Sequence, residues 1–173
     1  TGSLTGTSQR GLYAKGTASG TAITVSGIGD TPSGTITGGT EGIRAETQGG
    51  DITIQNLASV TGGSGAGIYA RSKGGNLTIE DITNITSTSG RSIDAFIESD
   101  SSNSEISTGN LKIDSESGTF TGQVYAKSDS SGTIDLTVGA VTMTQEGIDA
   151  IRVIAGEATG DVTVRAKGTV YAP

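Results

Sequence analysis

The fold class that this sequence predicts is all-β: a right-handed parallel β-helix of about six three-stranded turns, one solenoid over residues 1–173. Three observations predict it. The apolar residues come in short alternating bursts, as in Ile23-Thr24-Val25, Ile52-Thr53-Ile54 and Val162-Thr163-Val164. Alternation of period two is the strand signal. Three short blocks recur in a fixed order along the whole chain. Finally, Gly, Ser and Thr make up 77 of the 173 residues and aromatics only 3%. That composition alone suggests a disordered linker. Set on a repeat, it describes a thin rod with polar walls and no wide core.

The first block is small-apolar-X-Ala. It reads Gly11-Leu12-Tyr13-Ala14, Gly42-Ile43-Arg44-Ala45, Gly67-Ile68-Tyr69-Ala70, Ser92-Ile93-Asp94-Ala95, Gln123-Val124-Tyr125-Ala126 and Gly147-Ile148-Asp149-Ala150. The spacings are 31, 25, 25, 31 and 24 residues, so the strands are kept while the turns vary. Stacking places Leu12, Ile43, Ile68, Ile93, Val124 and Ile148 in one inward column, and the six alanines in the next. The glycine before each strand is expected to supply a positive φ. The second block, apolar-X-apolar, starts at Ile23, Ile52, Leu77, Leu111, Ile134 and Val162, with Leu136 an equal alternative to Ile134. The third centres on Ile36, Val60, Ile85, Phe120, Val141 and Val170, and Leu4 matches it. Only 146–158 could be read as an amphipathic helix, and the repeat argues against that. Handedness follows the preference for right-handed crossovers. Neither terminal stretch carries a capping pattern, which suggests a segment of a longer rod or rods that stack end to end.

Composition excludes several kinds of chemistry. A chain without Cys or His builds no zinc site of the usual kind, no thiol nucleophile and no Ser-His-Asp triad. No cofactor and no metal are expected. The formal charge of −7 leaves no basic stripe for nucleic acid. No apolar run is long enough for a membrane-spanning helix.

The segments Gly42 to Ile54 and Gly67 to Ile79, with near-copies along the chain, pair Gly-Ile-X-Ala with Gly-Asn/Asp-Leu/Ile-Thr-Ile. This pattern resembles the passenger β-helix of pertactin-like bacterial autotransporters. The resemblance implies a rod that is secreted or held at the outer-membrane surface of a Gram-negative bacterium. It also implies adhesin-type or virulence-type binding to a protein or glycan of a host or neighbouring cell. The absence of cysteine agrees with transit through an oxidising compartment.

The leading candidate site is the outward column of the first strand: Tyr13, Arg44, Tyr69, Asp94, Tyr125 and Asp149. Beside it run Lys15, Glu46, Arg71, Phe96, Lys127 and Ile151. Exposed aromatics with arginine are typical binding anchors, although tyrosine is also a good strand former. Phe96 and Ile97 open the longest insertion, 96–110, which also holds Glu98, Asp100 and Glu105. The turn that starts at Ile151-Arg152-Val153-Ile154 is expected to form either an outside strand pair or an apolar patch. Asp94 and Asp149, two turns apart, would stand about 9–10 Å from each other. Tyr125 lies between them, so no catalytic residue is assigned. A regular Thr array on the second strand, as ice binding would need, is interrupted by Lys112. The sequons at Asn76 and Asn84 read as chance matches. The alternative to partner binding is a structural stalk or a self-stacking filament subunit.

Overall fold

The computed structural model describes residues 2–99, 108–156 and 159–173. Its thirteen strands are β1 (Ser3–Gly6), β2 (Leu12–Ser19), β3 (Ile23–Ser26), β4 (Thr35–Gly38), β5 (Ile43–Gln48), β6 (Ile52–Gly62) and β7 (Ile68–Ser72). They continue with β8 (Leu77–Ile97), β9 (Leu111–Ser128), β10 (Ile134–Thr142), β11 (Ile151–Ala155), β12 (Val162–Ala166) and β13 (Val170–Tyr171). Every strand pair is parallel, and the chain winds as a β-solenoid of about six turns. There is no helix among the described residues. The long strands run round corners: β8 carries the second and third faces of one turn and the first face of the next.

The repeat blocks stack in register. On the first face the inward column is Leu12, Ile43, Ile68, Ile93 and Val124, beside Ala14, Ala45, Ala70, Ala95 and Ala126. The second face stacks Ile23, Ile52, Leu77, Leu111, Ile134 and Val162, which settles the fifth turn on Ile134 rather than Leu136. The third stacks Leu4, Ile36, Val60, Ile85, Phe120, Val141 and Val170. From Ile43 to Val141 these aliphatic columns are almost entirely shut off from solvent and form one continuous core. The outward positions of the third face carry hydroxyls, with Thr5, Thr37, Thr61, Thr86, Thr121 and Thr142 in one column.

The sixth turn departs from expectation. Ile151 pairs with Val124, Arg152 with Tyr125 and Val153 with Ala126. Gly147-Ile148-Asp149-Ala150 spells the block but forms the preceding turn, with Gly147 at φ 71° and Ile148 exposed. The cause is strand propensity. Ile151-Arg152-Val153-Ile154 offers three β-branched residues, whereas Gly and Asp are poor strand formers. The segment starting at Ile151 is therefore the first strand of its own turn, neither an outside pair nor a patch.

The glycine expectation also needs correction. Gly42 and Gly67 do not adopt positive φ; they are small because the next turn passes close. A Cβ on Gly67 would stand 2.7 Å from Ile85 Cγ2 and 2.7 Å from the Ser92 carbonyl oxygen. Positive φ occurs instead at the corner before the second strand, at Gly49 (91°) and Gly74 (106°). Gly50 and Gly75 follow them, stacked so closely that a Cβ on Gly75 would lie 2.3 Å from the Gly50 carbonyl oxygen. That corner is braced by a side-chain ladder. Asp51 Oδ1 accepts from Asn76 N (2.8 Å), Asn76 Oδ1 from Asn110 N (2.9 Å) and Asn110 Oδ1 from Thr133 N (2.9 Å). Asn76 is thus a structural residue of the corner.

Close backbone approach makes a specific prediction. Gly75→Ala should destabilise the fold by about 1–3 kcal/mol through overpacking. Gly90→Ala, where a Cβ meets nothing within 4 Å, should stay within about 0.5 kcal/mol of wild type. Urea denaturation of both variants checks this; equal midpoints would refute the corner-packing account.

Candidate functional site

The first face gathers the aromatic side chains. Tyr13, Tyr69, Phe96 and Tyr125 stand on it, and Tyr171 is the one other outward aromatic among the described residues. Its columns follow from the register. Tyr13, Arg44, Tyr69, Asp94 and Tyr125 stack in order, and Arg152 takes the sixth place. Asp149 leaves the column because the strand starts at Ile151; its carbonyl accepts a hydrogen bond from Gln123 Nε2 (2.9 Å). The neighbouring column is Lys15, Glu46, Arg71, Phe96 and Lys127, ending in Ile154 rather than Ile151. The expected acid pair Asp94/Asp149 therefore does not share a column.

Ile97 also moves. It lies in β8 between Ser72 and Ser128, points inward and is 1% exposed, so it belongs to the core. Its column also holds Thr47, Ser72 and Ser128, and ends in Ala155. Thr47 Oγ1 donates to the Gly50 carbonyl (2.7 Å), as does Ser72 Oγ (3.0 Å). Phe96 remains outward within the same strand. Asp100 and Glu105, which the insertion contributes, lie outside the described residues.

The rings and charges interlock across turns. Arg44 sends Nη1 to Glu41 Oε1 (3.0 Å) and Nη2 to Glu46 Oε1 (2.7 Å), while its guanidinium lies 4.5 Å from the Tyr69 ring centre. Tyr13 donates its hydroxyl to Glu46 Oε2 (3.2 Å) and is covered by Arg10 at 4.8 Å. Arg91 binds both oxygens of Asp94 at 2.9 Å and lies 3.8 Å over the Tyr125 ring. Phe96 bridges Tyr69 (6.3 Å) and Tyr125 (5.4 Å) in tilted contacts. Such contacts each contribute roughly 0.5–1.5 kcal/mol beyond burial. The result is a graded face. Tyr13 is 49% exposed, Tyr69 is half-buried and Tyr125 is only 7% exposed.

Arg10, Glu41, Arg91 and Gln123 are the members that the repeat analysis passed over. Their signal was available: Arg10, Glu41 and Arg91 each directly precede the small residue that opens a first-face block. That position stacks at the corner, where a long side chain folds back over the face.

The electrostatics separate the carboxylates. Burial pushes the Glu46 carboxyl up, but the hydrogen bond and charge of Arg44 and the Tyr13 hydroxyl outweigh it and hold it below its usual value. Glu41 is likewise net lowered, with burial opposed by hydrogen bonds from Thr40, its own backbone and Arg44. At Asp94 burial wins over Arg91, and its pKa is raised. Burial also raises Tyr69. The signs for stability differ. Glu41 and Glu46 stabilise the fold above their unfolded pKa, and this is lost as pH falls through their folded pKa. Asp94 favours the fold on the acid side, and this is lost as pH rises through its raised pKa. No group of three or more Asp or Glu side chains suited to a metal ion occurs among the described residues.

No protein-family model, no curated protein and no solved structure matches this chain.

The carboxylate environments predict opposite shifts. By carboxyl-detected NMR, Asp94 should titrate above an unperturbed Asp and Glu46 below an unperturbed Glu. In Arg91→Gln the Asp94 midpoint should rise further, because a cation that opposes burial is gone. Asp94 titrating below an unperturbed Asp would contradict the described packing.

Proposed function

We propose that this chain is a segment of a secreted or cell-surface rod, of the pertactin-like autotransporter passenger type, that acts by binding and not by catalysis. Its partner is a protein or glycan on a host or neighbouring cell, and its place is the extracellular or outer-membrane surface of a Gram-negative bacterium. One observation carries the reading: on a solenoid walled mainly by hydroxyls, four of the five outward aromatics among the described residues stand with their arginines on the first face. Anchors of this kind hold most of the binding energy in interfaces. The arginine contacts fix the ring positions before any partner arrives, which lowers the ordering cost of association. The accessible part of the face comprises Tyr13, Arg44 and Tyr69, with Asp94 and Phe96 beside them; Tyr125 supports the others from beneath Arg91.

A second reading is a stalk or an end-to-end filament. Stacked copies would extend the parallel pairing between turns from one chain to the next. Negative-stain microscopy separates the two: long fibres favour stacking, a dispersed short rod favours the binding face.

The binding test spares the buried ring. Tyr13→Ser with Tyr69→Ser should weaken cell or partner binding by about 2 kcal/mol or more, with an unchanged circular dichroism spectrum. Undiminished binding by a folded double variant would sink the proposal.

A further inference from the structure

Beside the aromatic columns lies a small cleft of about 130 Å³, lined by Lys15, Glu46, Thr47, Gln48, Arg71 and Lys73. Three of these six side chains are basic and one is acidic, on a chain whose formal charge is −7. The register explains the convergence. Lys15, Glu46 and Arg71 occupy one column on successive turns, about 4.8 Å apart. Lys73 follows Arg71 by two positions, and its backbone N–H donates to the Thr47 carbonyl.

The charges in the cleft are not balanced from within. Arg10, Arg44, Arg71, Arg91, Lys112, Lys127 and Arg165 each meet a carboxylate. Lys15, Lys73, Arg152 and Lys167 make no ion pair among the described residues, and Lys15 and Lys73 share the cleft. Glu46 attracts Lys15 through its charge without a direct ion pair. Both of its oxygens are held toward the tyrosine column, Oε1 by Arg44 and Oε2 by Tyr13. Arg71 gives Nη2 to Glu98. Two lysines without an ion pair among the described residues thus stand with Arg71 around one concavity. Their mutual repulsion is relieved by an anion placed between them.

We propose that this cleft binds a tetrahedral oxyanion, a sulfate or phosphate group carried on a larger molecule. The size sets the class. At roughly 30 Å³ per water the volume holds about four waters, and it is well below the ~300 Å³ of a cleft that takes a whole small molecule. It admits a charged substituent and leaves the bearer outside. Lysine is a point-charge phosphate binder, and basic groups on several sides of one space suit the three terminal oxygens of a sulfate or phosphate ester better than the two of a carboxylate. The cleft adjoins Tyr13 and Tyr69, so the inference rests on the first face being the contact surface and names the chemistry of its ligand.

The experiment needs no cell partner, which keeps the two claims separable. The chain is titrated with sodium sulfate, sodium phosphate and sodium acetate at constant ionic strength, and backbone amide shifts are followed. Saturating shifts at Thr47, Gln48 and Lys73 with sulfate and phosphate, at concentrations where acetate gives none, are expected. Lys15→Gln with Lys73→Gln should weaken that binding by about tenfold or more. Glucosamine 6-sulfate and glycerol phosphate then distinguish a glycan bearer from a lipid-type one by which saturates first. Shifts that grow linearly as with chloride, equal binding of acetate, or an unaffected double variant would overturn the proposal. Loss of cell binding in the tyrosine variants with sulfate binding intact would leave the cleft standing. Loss of sulfate binding alone would leave the face standing.

Discussion

Parallel hydrogen bonding between successive turns is the constraint on which everything else in this protein depends. Leu12 N–H reaches the Gly42 carbonyl at 2.9 Å, Ile43 N–H the Gly67 carbonyl at 2.9 Å, Ile52 N–H the Asn76 carbonyl at 2.8 Å and Leu77 N–H the Asn110 carbonyl at 2.9 Å. These bonds fix the rise between turns, and the rise turns every repeated position into a column. A residue in this chain has meaning mainly through the residues one turn above and below it. The core is narrow for the same reason. Turns this close and this small leave room for one aliphatic ladder and an alanine ladder on the first face, two aliphatic ladders on the second and one apolar ladder on the third. Glycine is demanded where backbones of adjacent turns nearly touch, as at Gly75 against Gly50.

The same stacking builds the first face. No single turn contains a site. Arg44 covers a ring from the following turn, Arg91 covers another, and Phe96 joins two rings on either side of it. Because the guanidinium groups are tied to carboxylates as well as to rings, the face is ordered without a partner. Order of this kind is what a binding surface needs, and it is also what a stable strand surface shows. Tyr13 remains 49% exposed, and Lys15 and Lys73 make no ion pair among the described residues.

Much of this was legible in the residues. The three blocks located the strands of the first five turns to the correct register, because each combines a period-two pattern with a fixed neighbour. In the sixth turn Val162 and Val170 also stack as expected, but the first strand does not, because Gly147-Ile148-Asp149-Ala150 imitates the block while the following β-branched run makes the better strand. Motif identity and strand propensity competed, and propensity won. Ile97 was misplaced for a related reason: it follows Ala95 by two positions and so continues the inward alternation past the block. The corner residues Arg10, Glu41 and Arg91 stand one position before the blocks and so fell outside the columns, although their place before each small residue was regular. The Asp51-Asn76-Asn110-Thr133 ladder needed coordinates as well, because sequons and turn glycines obscure its spacing.

The register of the sixth turn tests the central claim most directly, since the columns exist only if turns stack as described. The chain has no native cysteine, so engineered pairs report cleanly. Neighbouring residues in parallel register stand at a separation that a disulfide spans, whereas residues three positions out of register do not. Tyr125→Cys combined with Arg152→Cys should oxidise to an intramolecular disulfide, and Tyr125→Cys combined with Asp149→Cys should stay reduced under the same conditions. Cross-linking of the second pair in preference to the first would contradict the stacking on which the face and its cleft are built.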